Sequence, residues 1–125
     1  MSPGLPTLTE LSSALRHLHR ALIDAESANF PVATGPFDRL MLVVEHPGFD
    51  WLHALSELIV EIDELVDAGT ETGHPITPCK EVIERLLGPA PALREDFRSR
   101  YLELLQTAPD VAIASGAVRR LLARL

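Results

Sequence analysis

A chain of 125 residues that is 46% apolar is long enough for one domain with a real core, which excludes a disordered chain. Its net charge of −7 argues against DNA or RNA as the main partner, because phosphate binding draws on Lys and Arg. The single cysteine, Cys79, excludes an intrachain disulfide and fits a reducing, cytoplasmic setting.

Residues 1–6 read as a flexible N-terminus. They carry neither a basic region nor an apolar run, so no signal peptide is expected. Nothing along the chain approaches the ~20 apolar residues of a membrane span. Pro and Gly clusters such as "FPVATGP", "HPG", "AGTETGHPITP" and "LGPAP" divide the sequence into segments with helical periodicity. No segment alternates at period two for long enough to be a strand.

The first helix is expected from Thr7 to about Ala28. "TLTE" has the form of a capping box, with Thr7 and Glu10 exchanging hydrogen bonds with each other's backbone amides. Leu8, Leu11, Leu15, Leu18 and Leu22 then form one stripe. A short second helix is expected over residues 36–46, ended by Pro47 and Gly48. The third, about 49–68, is the clearest in the sequence: Trp51, Leu55, Leu58, Ile62 and Leu65 lie on one line, and Gly69 suits a left-handed C-cap. A fourth helix starts at Thr77-Pro78 and ends at Gly88. A fifth, about 92–107, buries Leu93, Phe97, Tyr101, Leu104 and Leu105. A sixth, about 110–124, buries Val111, Ala114, Val118, Leu121 and Leu122.

Charge is unevenly placed. Residues 51–75 hold six acids and no bases, whereas residues 76–125 hold eight bases and six acids. At about 100° per residue, Glu57, Glu61 and Glu64 fall on one ridge opposite the apolar line of the third helix. Two readings stand side by side. A solvated helix face produces such a ridge. So does a site for a cation or for an Arg of the C-terminal half, since like charges at i, i+4 repel when nothing offsets them.

The cation reading has a definite form. "EIDE" at 61–64 and "EVIE" at 81–84 make two E-x-x-E motifs sixteen residues apart. This resembles the paired acidic motifs of the all-α nucleoside-triphosphate pyrophosphatases, where facing helices hold Mg²⁺ on carboxylates. The resemblance implies Glu61, Glu64, Glu81 and Glu84 as ligands of Mg²⁺, whose hard charge suits oxygen donors. That family's second motif ends in Asp, whereas this one ends in Glu84. A third reading rests on His53 and Glu57 at i, i+4, a pairing that di-iron helical bundles use; here the pair points away from the apolar stripe. His19 is expected to be half-buried and bonded to a carboxylate or carbonyl. Cys79, at a helix N-terminus beside Lys80, is a candidate for a lowered thiol pKa. Ser12, Ser13 and Ser56 lie in no nucleophile motif, and there is no Gly-rich phosphate loop.

"LHRALIDAE" at 18–26 and "HPGFDWLHALSELIVEIDEL" at 46–65 resemble a group of small uncharacterised bacterial proteins. Those begin with a similar helix and carry a similar Trp-containing segment. The resemblance implies a stand-alone helical protein of bacterial origin and carries no activity with it. The expectation is therefore an all-α, compact bundle of five or six helices with the 49–68 helix at its centre. The function expected is non-enzymatic: a cytoplasmic protein that acts through protein–protein contacts as a homodimer, without nucleic acid, membrane, cofactor or catalytic residues. Self-association is suggested by Val60, Leu102 and Ile113, which fall off the buried stripes. A Mg²⁺-dependent nucleotide hydrolase is the alternative, and a di-iron bundle stands behind it.

Overall fold

A computed structural model describes residues 7–27, 47–68, 76–88 and 94–125. Thr7 sets the start of the first helix, where its hydroxyl accepts from the Glu10 backbone N–H at 3.1 Å. That bond satisfies one of the amide donors a helix N-terminus leaves open. Helix α1 then runs Leu8–Ser27. Leu8, Leu11, Leu15, Leu18 and Leu22 are all fully buried, as their spacing predicts. Ala14 and Ala21 are buried beside them, which broadens the stripe enough to face two neighbours.

The helix expected over 49–68 consists of two pieces. Pro47–Leu52 form a 3-10 turn, η1, and the α-helix proper, α2, runs His53–Asp67. Pro and Gly at its start are poor α-formers, and a 3-10 turn is a common lead-in to a helix. It brings the adjacent residues Trp51 and Leu52 both into the core, where η1 meets α1 and a later helix. Leu55, Leu58, Ile59 and Ile62 continue the buried face along α2.

Helix α3 runs Ile76–Leu87 and buries Cys79, Ile83, Leu86 and Leu87. Gly88 ends it at φ +116°, a conformation that residues with a Cβ rarely adopt. The Arg98 guanidinium closes the same helix end. It donates to the carbonyls of Arg85 at 2.8 Å, Leu86 at 3.1 Å and Glu84 at 3.3 Å. A cation there also complements the helix dipole. Helix α4 runs Glu95–Thr107, starting later than residue 92, because Arg94 is extended. Glu95 and Asp96 supply the acids that suit a first turn. Helix α5 runs Pro109–Ala123 with Pro109 in its first turn, so Ala108 alone joins it to α4.

All the described residues build helices and their connections, so the bundle is all-α. Its packing hub is α1 rather than the Trp51-bearing segment: α1 lies against both α2 and α5. The reason is the width of the α1 stripe. Helix α4 packs on α5, on η1 and on the end of α3. Trp51 meets Phe97 with ring centroids 5.3 Å apart, and Phe97 stacks on Tyr101. The expected helix at 36–46, the flexible residues 1–6, the Gly69 cap and the burial of Leu93 lie outside the described residues. Among the described residues no helix is long and apolar enough to cross a membrane.

Candidate functional site

Glu57, Glu61 and Glu64 are exposed, as the helical phase predicts. Among the described residues none of the three carboxylates forms a hydrogen bond or ion pair. Yet Glu57 and Glu61 do more than face water. They border an apolar groove between α2 and α3. One end of the groove has a volume of about 310 Å³ and is lined by Leu58, Glu61, Ile62, Leu65, Pro78, Cys79 and Val82. The adjoining end, about 270 Å³, is lined by Ala54, Glu57, Leu58, Glu61, Val82, Leu86 and Arg94. Leu58, Glu61 and Val82 line both, so the two hollows adjoin.

The groove arises from the two sequence periods. On α2, Ala54, Leu58, Ile62 and Leu65 recur at i, i+4 and i+3. On α3, Cys79, Val82 and Leu86 do the same. The two stripes face each other across the gap, and the acids occupy the next positions around α2. Arg94 stands at one end of the groove. Its guanidinium grips Asp96 in a fork, Nε to Oδ1 at 3.1 Å and Nη2 to Oδ2 at 2.9 Å. This bond holds Arg94 above the ordinary guanidinium range and Asp96 below the usual carboxylate range. Asp96 is thus the bonded partner of Arg94, and Glu57 attracts the same guanidinium at longer range.

At the floor of the groove, Cys79 is a free, buried thiol. Burial pushes its pKa up, and the Glu61 charge pushes it the same way. The lowered pKa expected from its place at a helix start is thereby reversed. Desolvation and a nearby carboxylate outweigh the helix terminus and Lys80.

Glu61, Glu64, Glu81 and Glu84 do not converge. Among the described residues no group of three or more His, Cys, Asp or Glu side chains is placed to hold a metal ion. The cause is the phase of α3. Turning Cys79, Val82 and Leu86 toward α2 carries Glu84, two residues after Val82, round to another surface. There it lines a depression of about 210 Å³ with Lys80, Gly88, Arg119, Leu122 and Ala123. Glu81 is exposed. The facing carboxylates of the pyrophosphatase arrangement are thus not assembled. His53 and Glu57 are both exposed, and His53 stands 3.9 Å from Asp50 rather than in a bundle interior.

His19 is half-buried, but its partner is a hydroxyl, not a carboxylate or carbonyl. Nε2 lies 2.8 Å from Ser56 Oγ. Burial lowers the His19 pKa, and His53 lowers it further. Neither His19 nor Ser56 lines the groove.

Three polar contacts were not visible in the sequence pattern. Glu26, buried at the end of α1, pairs with Arg100 of α4, whose Nε is 2.9 Å from Oε2; Arg100 also reaches Glu103 at 2.9 Å. Ser12 donates to Asp63 at 2.6 Å, and Arg16 pairs with the same carboxylate. Tyr101 and Ser115 bond through their hydroxyls in the core. The available signal was a polar residue on an apolar stripe: Glu26 is four residues beyond Leu22, and Ser115 lies between Val111 and Val118.

Among the described residues the large apolar side chains left exposed are Val60 at 54%, Leu102 at 43% and Ile113 at 70%, the same three that fall off the stripes in the sequence. Ile113 lies at a shallow cleft of about 350 Å³ between α1 and α5, with His17, Arg20, Asp24, Asp110 and Arg120 around it. No protein-family model, curated protein or solved structure matches the chain.

Proposed function

We propose that the chain is a cytoplasmic bacterial protein that works by protein contact rather than catalysis, and that it self-associates as a homodimer through the α1–α5 face. The observation that carries this reading is Ile113, 70% exposed at a cleft between two helices. A large aliphatic side chain gains about 1.5–3 kcal/mol on leaving water. A two-fold interface must be complementary to itself. The Ile113 surroundings support such a contact, since Arg20 and Arg120 on one copy can meet Asp110 on the other. Around it, Ala114, Gly116 and Ala117 are small enough for a second helix to approach.

Sedimentation velocity tests the reading directly. The wild type is expected to be dimeric at high micromolar concentration. Ile113→Asp, a change on an exposed position that leaves the core intact, is expected to give a folded monomer. A wild type that stays monomeric at that concentration sinks the proposal.

A further inference from the structure

We propose that the groove between α2 and α3 is a docking site for one amphipathic helix of a partner protein, with an apolar stripe flanked by Lys or Arg. The groove floor is apolar: Leu65 and Val82 are part-exposed there, over the buried Leu58 and Ile62. A gap between two helices lined in this way suits a third helix, anchored by residues at i, i+3 or i+4 and i+7.

The lip determines the kind of helix. Glu57 and Glu61 stand at i, i+4, a like-charge pair that weakens a helix when nothing offsets it. Among the described residues no cation pairs with either. Arg94, which lines the same end of the groove and attracts Glu57 at longer range, is held by Asp96. The surrounding segment, residues 51–75, adds no base of its own. A partner helix that brings Lys or Arg along one flank removes the repulsion and covers the apolar floor in the same step. An acidic or neutral helix satisfies only the floor. The site is separate from the Ile113 face: that cleft is formed by α1 and α5, this one by α2 and α3.

The test uses the full chain and a labelled helical Leu–Lys peptide with heptad-spaced leucines, beside its Leu–Glu twin. Fluorescence anisotropy should show saturable binding of the Leu–Lys peptide, one per chain, and none of the Leu–Glu peptide. Binding should slow alkylation of Cys79 at the groove floor. The E57Q/E61Q variant should bind the Leu–Lys peptide about tenfold more weakly, with its circular dichroism and sedimentation unchanged. The E10Q/E95Q variant removes two exposed acids elsewhere and should bind like the wild type. Absence of Leu–Lys binding overturns the proposal. So does equal weakening in both variants, which marks attraction to net charge alone. If E57Q/E61Q loses the dimer, the occupant is a second copy of this chain and the partner-helix proposal fails. Loss of the dimer on Ile113→Asp with peptide binding intact keeps the two surfaces distinct.

Discussion

Helix α2 has two flanks, and they are built differently. The flank on α1 is pinned by polar bonds at both ends: Ser12 and Arg16 hold Asp63 at one, and His19 meets Ser56 at the other. These pairs fix an antiparallel register, because Ser12 precedes His19 on α1 while Asp63 follows Ser56 on α2. The flank on α3 has no such bonds among the described residues. Apolar side chains line a groove there, and the acids at its edge repel one another. Directional bonds fix one packing. Apolar contact without them leaves room for something else to enter. The first seam serves the fold, and the second offers a surface.

The comparison is broken most forcefully by Trp51→Ala. Trp51 is 8% exposed, lies in the 3-10 turn that leads into α2, and packs on Phe97. Truncating a buried aromatic typically costs about 3–5 kcal/mol, a large part of the ~5–15 kcal/mol that holds a domain together. Urea denaturation should show that loss. A loss below about 1 kcal/mol would mean that η1 is not part of the sealed side.

Asp63→Ala comes next. It removes one acceptor shared by Ser12 and Arg16, on a carboxylate that is one-third exposed. We expect a loss of about 1–2 kcal/mol. A loss no larger than a few tenths, as is usual for surface positions, would mean that apolar packing alone closes the seam.

What was legible in the sequence follows the same division. The Leu8, Leu11, Leu15, Leu18 and Leu22 stripe, the end of α3 at Gly88 and the exposure of Val60, Leu102 and Ile113 all come from local periodicity and turn chemistry. Pairings across the bundle do not. Asp63 is 51 residues from Ser12, and Glu26 is 74 from Arg100. No period connects them, because each bond depends on how whole helices come together. The groove was hidden for the same reason. The acidic ridge was plain on α2, but the apolar stripe facing it belongs to α3, and the direction in which α3 turns Glu84 decides whether four carboxylates meet.

His19 probes the sealed seam by pH. Burial and His53 hold its pKa below the ordinary 6.5. The unfolded chain therefore binds the proton at a higher pH than the folded chain does. Stability is full above about 6.5 and falls as pH drops from there toward the lowered folded value, then levels off. His19→Gln keeps a polar side chain beside Ser56 and removes the proton. The difference in midpoint between wild type and variant should shrink between pH 7.5 and 5, by less than the cost of Asp63→Ala. A pH-independent difference would mean that His19 is solvated.

The smallest effect is the most discriminating, because its sign separates two accounts of the acidic ridge. Glu61 lies beside Glu57 and Glu64 with no cation paired to it among the described residues. In that setting Glu61→Gln relieves repulsion, and stability should stay level or rise by a few tenths of a kcal/mol, with the gain shrinking as salt screens the ridge. If Glu61 instead holds a cation, the same change removes a ligand and stability should fall by more than about 1 kcal/mol. Urea titrations at low and high salt, with and without Mg²⁺, distinguish the two. A loss that a chelator reproduces in the wild type restores the metal reading even though the four glutamates do not converge. Cys79 supplies an independent check at the groove floor. Because the Glu61 charge raises the thiol pKa, Glu61→Gln should speed alkylation of Cys79 at a fixed pH near neutrality. An unchanged alkylation rate would mean that Glu61 points to water and that the groove has no acidic lip.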